Sequence, residues 1–268
     1  MFRVHYKKFQ FLVLNLIVVL GMVILLFPIS TLSEERDFPS VVSLDYCADQ
    51  YVLLLSDRTQ IMAVSKAAED VYSFYRDRAK GLSKTDSSIE EVIMLKPDLA
   101  IQTYQAAAHM DEMTARADIL LIQTQYGSDP ETVQKNIQNV GKAIGQTERA
   151  EEFVKSYKNR LRALQVEPSK KLRIAYITPS GITAGKGTSV DDIINMSGFE
   201  NYLKKYNLNG WTSIPLELLI SDPPDIFMTS FFERDAVTQS RWSLSRHDFL
   251  FKMMEKLPTI TIPSTMMS

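Results

Sequence analysis

One segment of eleven residues occurs twice in this chain of 268 residues. The two copies run from Ile89 to Leu99 and from Leu216 to Ile226, and they carry Glu, Ile, Pro and Asp at matched positions. In each copy a helical apolar pattern ends near a proline, and an aspartate then leads into a short apolar run. The repeat therefore predicts two α/β lobes that share one helix–strand unit.

Strand-like and helix-like patterns alternate along most of the chain. Such alternation is typical of parallel βαβ units, so the sequence predicts the α/β fold class. Strands are predicted at 41–44, 61–64, 99–102, 119–123, 173–178, 226–229 and 259–262. Helices are predicted at 48–55, 88–95, 106–116, 190–196, 216–220 and 249–255.

Two further helices are predicted in the middle of the chain. Asp129 and Pro130 suit the N-cap and the first position of a helix that ends near Gly145. A second helix begins at Thr147, and its stretch from Glu148 to Leu164 spans about 26 Å. This length is sufficient to connect two lobes.

These patterns divide the chain into four parts. Residues 1–33 are expected to be an export signal, 40–146 an N-terminal lobe, 147–166 a bridging helix and 167–268 a C-terminal lobe. The sequence stops at Ser268 without a closing helix, so the C-terminus is expected to be truncated or unusually short.

The N-terminal segment has the order of a secretory signal peptide. Arg3, Lys7 and Lys8 precede an uncharged apolar run from Phe9 to Phe27, and small polar residues follow up to Ser33, after which cleavage is expected. A retained membrane anchor is the alternative, because the run approaches the roughly 20 residues that cross a bilayer. The basic residues at the start and the small residues Thr31 and Ser33 favour cleavage, so we expect a periplasmic protein.

Charge and residue counts argue against several classes of function. Removal of the signal peptide would change the formal net charge from −2 to −5, which disfavours nucleic-acid binding. Cys47 is the only cysteine, lies too far from the signal to carry a lipid, and is expected to be a small buried hydrophobe. The only histidines are His5, His109 and His247, too few for the expected ligands of bare zinc or manganese.

No constellation of catalytic residues stands out. The stretch from Gly181 to Thr188 approaches a phosphate-binding loop, but that motif requires glycine at position 180 and serine or threonine at 187. The chain has Ser180 and Gly187. We therefore expect no enzymatic activity, with an exported α/β enzyme of dispersed active site and a periplasmic ligand sensor as alternatives.

The repeated glutamates Glu90 and Glu217 have no evident structural role. Ser88 and Glu91 have capping-box spacing, which assigns Glu91 to the start of its helix, and Glu217 has no serine three residues before it. Each repeated glutamate either interacts favourably with the dipole at the start of its helix, with no further role, or belongs to a pair of matched surface contacts.

Four segments together resemble the solute-binding proteins of ABC importers for iron-siderophores, haem and cobalamin. They are Val41-Val-Ser-Leu44, the segment from Ile89 to Ile101 with its Leu-Lys-Pro-Asp-Leu-Ala-Ile, the long helix from Thr147, and Thr183-Ala-Gly-Lys-Gly-Thr188. The resemblance covers the chain from about residue 40 to its end.

The resemblance implies a fold, a function and a partner. The fold would be two small Rossmann-like lobes with central parallel sheets, bridged by one long helix, with the ligand in the cleft between them. A monomer would capture a metal chelate and deliver it to a permease dimer of the inner membrane, which it would contact through Glu90 and Glu217. The metal would arrive inside the chelate, so no separate cofactor is implied.

Ligand residues are expected in loops at the carboxyl ends of strands. Aromatic side chains suit the flat faces of a macrocycle or catecholate, and arginine suits an anionic chelate. On this basis ferric siderophore ranks first, cobalamin second and haem third. The candidate ligand residues are Tyr46, Tyr72, Tyr75, Arg76, Tyr104, Thr183, Phe231, Arg234 and Trp242.

Overall fold

The computed structural model describes residues 38–105, 108–127, 129–164, 171–230, 248–263 and 266. Its strands are β1 (Val41–Ser43), β2 (Ile61–Ser65), β3 (Lys84–Thr85), β4 (Leu99–Gln102), β5 (Leu120–Gln123), β6 (Arg173–Ile177), β7 (Ile182–Ala184), β8 (Glu200–Asn201), β9 (Trp211–Ser213), β10 (Ile226–Ser230) and β11 (Thr259–Ile262). Its α-helices are α1 (Tyr46–Leu55), α2 (Arg76–Ala79), α3 (Ile89–Leu95), α4 (Met110–Arg116), α5 (Pro130–Ala143), α6 (Thr147–Leu164), α7 (Ser189–Met196), α8 (Leu216–Ser221) and α9 (Asp248–Lys256).

The sheet of the N-terminal lobe consists of parallel strands in the order β3-β2-β1-β4-β5. Successive residues of a strand point to opposite faces, and helices cover both faces of this sheet. Val41, Leu99 and Ile101 pack against α1, α5 and α6, whereas Val42 and Ala100 pack against α3 and α4. Burial on both sides explains why β1 and β4 are continuous apolar runs in the sequence.

The C-terminal lobe repeats this layered arrangement around parallel strands in the order β11-β10-β6-β8. Ala175 and Ile177 of β6 face α8 and α9, and Ile174 and Tyr176 face α7. Strands β7 and β9 form a separate antiparallel pair.

Helices α5 and α6 form a close pair. The turn between them contains Gly145, whose φ of +75° is a left-handed conformation that glycine adopts without steric cost. A Cβ at Gly141 would lie 2.3 Å from the Cβ of Ala150, so the two helices cross where only glycine fits. Ala150 and Val154 pack into the core of the N-terminal lobe, which anchors the first half of α6 there.

The predicted α/β fold class, with parallel sheets in two lobes, is confirmed. The helix predicted at 106–116 was placed too early: α4 begins at Met110, because His109 has a φ of 60° and cannot belong to a right-handed helix. Residues 106 and 107 lie outside the described residues. The short strands β3, β8 and the pair β7–β9 were not predicted, because two or three residues are too few to show a period.

Candidate functional site

The strand order of the N-terminal sheet reverses between β1 and β4. Successive strands extend from β1 through β2 to β3 on one side, and from β4 to β5 on the other. At such a reversal the loops after the strands separate and leave a crevice in which α/β proteins bind ligands. In this protein Asp45 lies in the loop after β1 and Tyr46 begins α1, and Thr103 and Tyr104 lie in the loop after β4.

A cavity of about 340 Å³ lies at this crevice. The N-terminal lobe supplies most of its wall, and helix α7 of the C-terminal lobe supplies the opposite side. The principal lining residues are Tyr46, Cys47, Gln50, Thr103, Tyr104, Gln125 and Tyr126 from the first lobe, with Ser189 and Ile193 from the second. A ligand in this cavity would contact both lobes.

Asp45 fixes the geometry of the crevice. One carboxylate oxygen accepts hydrogen bonds from the backbone N–H groups of Thr103 and Tyr104, at 2.5 and 3.0 Å. The other accepts from the backbone N–H of Ala48 at 2.9 Å and caps helix α1. Asp45 therefore links the loop after β1 to the loop after β4, and holds Tyr46 and Tyr104 on the same edge of the sheet.

Buried Asp49 fastens helix α1 to the end of β2. Its carboxylate accepts hydrogen bonds from the backbone N–H of Ser65 at 3.0 Å and from the Ser65 hydroxyl at 2.5 Å. Burial raises the pKa of Asp49 to about 6, although the hydrogen bonds from Ser65 oppose that shift. Because α1 carries Tyr46, Cys47 and Gln50, this attachment positions one wall of the cavity.

Two half-exposed tyrosines lie side by side in the cavity wall. The rings of Tyr104 and Tyr126 have centroids 6.4 Å apart, and these residues are 49% and 48% exposed. Desolvation raises the pKa of the Tyr104 hydroxyl, and the nearby Cys47 adds to the shift. The phenol is therefore protonated at neutral pH and presents both an apolar ring and a hydrogen-bonding group.

Cys47 lies beside Tyr104, with 3.8 Å between its Sγ and the phenol oxygen. Desolvation by burial raises the pKa of the Cys47 thiol to about 11, so the group is a neutral thiol at physiological pH. The expectation of a small buried hydrophobe thus needs correction, because Cys47 is only partly buried and lies in the cavity wall.

Gln50 connects the cavity wall to the loop that precedes α2. Its amide donates to the Ser73 hydroxyl at 3.0 Å and accepts from the backbone N–H of Tyr75 at 3.2 Å. The Tyr75 ring packs against a core cluster that includes Leu53 and Ala68. The loop is therefore held next to the cavity, but the ring of Tyr75 serves the core of the lobe.

The structure brings Tyr46 and Tyr104 together in the cavity wall. Tyr72 and Tyr75 lie in the loop tethered to Gln50 and Arg76 begins α2, and none of the three is among the described residues that line the cavity. Thr183 is fully buried in β7 and is not among the lining residues either. Phe231, Arg234 and Trp242 lie outside the described residues.

Sequence reasoning missed Gln50, Tyr126 and Ile193. Tyr126 could have been found, because it follows β5 as Tyr104 follows β4. Gln50 and Ile193 lie within helices, and no sequence pattern distinguishes a helical residue that faces a cavity from one that faces solvent.

The described part of the cavity wall carries no formal charge. Its polar groups are phenols, amides, hydroxyls and one thiol, and its apolar groups include Val133, Ile193 and Met266. Such a wall suits a ligand with a large apolar surface, and its described residues offer no ion pair to a charged group of the ligand.

Two other depressions lie on single lobes. One of about 910 Å³ is an open groove between α4 and β5, and one of about 470 Å³ lies beside Lys186 and Lys204. The described residues that line each of them come from one lobe, so the cavity at the strand reversal is the better candidate for a ligand site.

The repeated glutamates occupy matched places on α3 and α8. Glu90 and Glu217 are both exposed, and neither carboxylate has a hydrogen bond or ion pair with any residue that the structure describes. Both lie in the first turn of their helices, where the dipole favours a carboxylate.

The capping box expected at Ser88 and Glu91 is only half formed. The Ser88 hydroxyl accepts from the backbone N–H of Glu91 at 3.4 Å, as expected. The Glu91 carboxylate accepts instead from Thr85 and from the backbone N–H of Asp86, at 2.9 and 2.8 Å. Glu91 therefore orders the loop before α3, and Glu90 is left to face solvent.

No group of three or more histidine, cysteine, aspartate or glutamate side chains in the described ranges could hold a metal ion. The His109 ring nitrogen Nδ1 lies 3.8 Å from the Glu112 carboxylate on an exposed surface. Among the described helices, none is long and apolar enough to cross a bilayer.

Residues 41–241 match the family model of periplasmic binding proteins. The chain belongs to the periplasmic binding protein family. The fold, the cleft at the strand reversal and the resemblance inferred from the sequence all agree with this membership. Since members are binding proteins, the expectation that the chain is not an enzyme is confirmed.

Several relatives and solved structures are similar to this periplasmic binding protein. The uncharacterised ABC transporter substrate-binding lipoprotein YvrC of Bacillus subtilis (strain 168) is 26% identical over 198 residues, which cover 67% of this chain and 59% of YvrC. The periplasmic haem-binding protein HutB of Vibrio cholerae has a TM-score of 0.68 at 16% identity, with 85% and 90% of the two chains covered. The apo form of the haem-binding protein RhuT from Roseiflexus sp. RS-1 has a TM-score of 0.66 at 19% identity, with coverage of 84% and 89%.

Proposed function

We propose that this periplasmic binding protein is the substrate-binding component of an ABC importer and carries a metal chelate in the cavity between its lobes. The observation that carries the proposal is the tyrosine-rich cavity at the strand reversal, to which both lobes contribute. The name of YvrC supports the importer, and the titles of HutB and RhuT support a haem-type ligand.

Haem is the first candidate ligand, ahead of the ferric siderophore that ranks first on sequence and of cobalamin. Tyr104 and Tyr126 are half exposed, and their rings, tilted by 46° to each other, each offer an apolar face to a planar macrocycle. A tyrosine oxygen is also a known ligand of haem iron.

The chelate would be delivered in the periplasm to a permease dimer of the inner membrane. Glu90 and Glu217 would contact it, one from each lobe, because their exposed carboxylates have no partner in the described part of the chain. Complementary charges at an interface set orientation and encounter rate more than raw affinity.

Titration of the signal-free protein with haem, a ferric catecholate siderophore and cobalamin tests the ligand. Haem binding is expected to change the haem absorbance spectrum, with a dissociation constant of about 1 μM or tighter. Haem at about 100 times that constant should add about 2.7 kcal/mol to the free energy of unfolding. If none of the three compounds binds to or stabilises the protein, the proposed cargo is rejected.

Charge reversal tests the delivery step. The variant E90R/E217R is expected to bind haem with unchanged affinity and to lose haem uptake when it replaces the wild-type protein in its own cells. Normal uptake would remove the docking assignment and leave ligand sensing as the better interpretation of the site.

A further inference from the structure

Helices α3 and α8 present the same face in the two lobes. Val92 and Leu219 occupy the same position of the repeat, and both are fully buried. A helix turns by about 100° per residue, so residues two positions away from these anchors lie on the opposite side. Glu90 and Glu217 precede the anchors by two positions, and this is why both carboxylates face solvent.

Each helix exposes a large apolar side chain beside its glutamate. Met94 follows Glu90 by four residues and is 76% exposed. Ile220 follows Glu217 by three residues and is 53% exposed. Residues three or four apart are neighbours on a helix surface, so each glutamate and its apolar residue form one small patch.

A single exposed apolar residue on a protein surface is ordinary. Here the same combination occurs on the matched helix of both lobes, although the repeat itself does not require it. The position of Ile220 corresponds to Ile93 in the first copy, which is half-buried, and the position of Met94 corresponds to Ser221. The two lobes thus reach a similar acidic and apolar surface through different positions.

We propose that Met94 and Ile220 are contact residues of the surface that docks on the permease. This inference rests on the proposed function and extends it. The partner would present, once on each half of a two-fold dimer, a basic side chain next to an apolar depression. A duplicated patch fits a duplicated receptor, and a buried apolar contact beside an ion pair supplies affinity and excludes water from the charges. Methionine suits such a contact because its unbranched side chain adapts to the shape of its partner.

The test compares M94S/I220S with the wild type in cells that carry each variant as their only copy. Haem uptake is measured at limiting amounts of the binding protein, and haem affinity and Tm are measured on the purified proteins. We expect uptake to fall about tenfold, which corresponds to about 1.4 kcal/mol of docking free energy, with haem affinity and Tm unchanged. The control variant L120S removes an apolar side chain of similar exposure, 56%, from β5 and should leave uptake unchanged.

Each outcome has a separate meaning. Normal uptake by M94S/I220S, alongside lost uptake by E90R/E217R, overturns the apolar contact and preserves the charged one. Normal uptake by both variants overturns the docking surface altogether. Failure of the wild-type protein to bind haem, the siderophore or cobalamin rejects the proposed cargo instead. The conservative pair M94L/I220V should keep near-normal uptake, and a loss there equal to that of M94S/I220S would also contradict the apolar contact.

Discussion

The carboxylate of Asp98 accepts two hydrogen bonds from Ser40, one from its backbone N–H and one from its hydroxyl, both at 2.7 Å. Asp225, the matching residue of the second repeat, accepts from the backbone N–H of Arg173 at 2.7 Å. Ser40 directly precedes β1 and Arg173 begins β6. In each lobe the repeated aspartate therefore joins the strand that follows it to the first strand of the same sheet.

Replacement of this aspartate is expected to lower stability. D98A removes the one carboxylate oxygen that accepts both hydrogen bonds. Because these bonds are exposed to solvent, the free energy of unfolding should fall by about 1 kcal/mol at pH 7, measured by urea denaturation. The hydrogen bonds from Ser40 lower the pKa of Asp98 below its ordinary value. Because the folded-state pKa is the lower one, this stabilisation is present above about pH 4 and is lost as the pH falls further. An equal difference between wild type and variant at pH 7 and at pH 2 would contradict this linkage.

Asp49 is expected to give stability the opposite dependence on pH. Its folded-state pKa of about 6 lies above the ordinary value, so the folded protein binds the extra proton and stability falls as the pH rises from about 4 to 6. D49N keeps the shape of the side chain without a buried charge. Its free energy of unfolding should exceed that of the wild type by about 1–3 kcal/mol at pH 7 and should equal it at pH 4. Thermal unfolding at both values measures this. A gain of the same size at pH 4 would show that the charge is not the cause.

The close crossing of α5 and α6 can be tested by a substitution at Gly141. In an exposed helix interior, alanine is more favourable than glycine by about 1 kcal/mol. At Gly141 the added Cβ would approach Ala150 to 2.3 Å, so G141A is expected to destabilise the protein by about 1–3 kcal/mol. The control N139A lies on the exposed side of the same helix and should be neutral or slightly stabilising in urea denaturation. A stabilised G141A would mean that the helices separate at little cost.

Tyr104 in the cavity wall and Tyr75 in the neighbouring loop should respond differently to truncation. Tyr104 is half exposed in the cavity wall, so Y104A should weaken haem binding about tenfold or more with little change in Tm. Tyr75 packs against a core cluster, so Y75A should lower the free energy of unfolding by about 2 kcal/mol and change haem affinity less. Absorbance titration and thermal unfolding separate the two effects. The reverse pattern would return Tyr75 to the ligand site.

Local patterns determined much of the fold. The bounds of β4 and β11 and the start of α6 match their sequence predictions, because each has a clear apolar pattern and a terminating signal. The position of Tyr46 and Tyr104 at one edge of the sheet was also predictable, since the carboxyl ends of parallel strands meet there. Their role as ligand residues stays a prediction. The predictions for Phe231, Arg234 and Trp242 stay open, as do the domain limits.

The α/β class, the repeat, the long helix and the glutamates that lack a local role could be read from residue patterns alone. The packing of the lobes was needed to learn which helical residues face the cavity, as for Gln50 and Ile193, and which exposed apolar residues lie beside a glutamate, as for Met94. The physical reason is that periodicity specifies the buried face of a helix, whereas the surroundings of its other faces depend on elements distant in the chain.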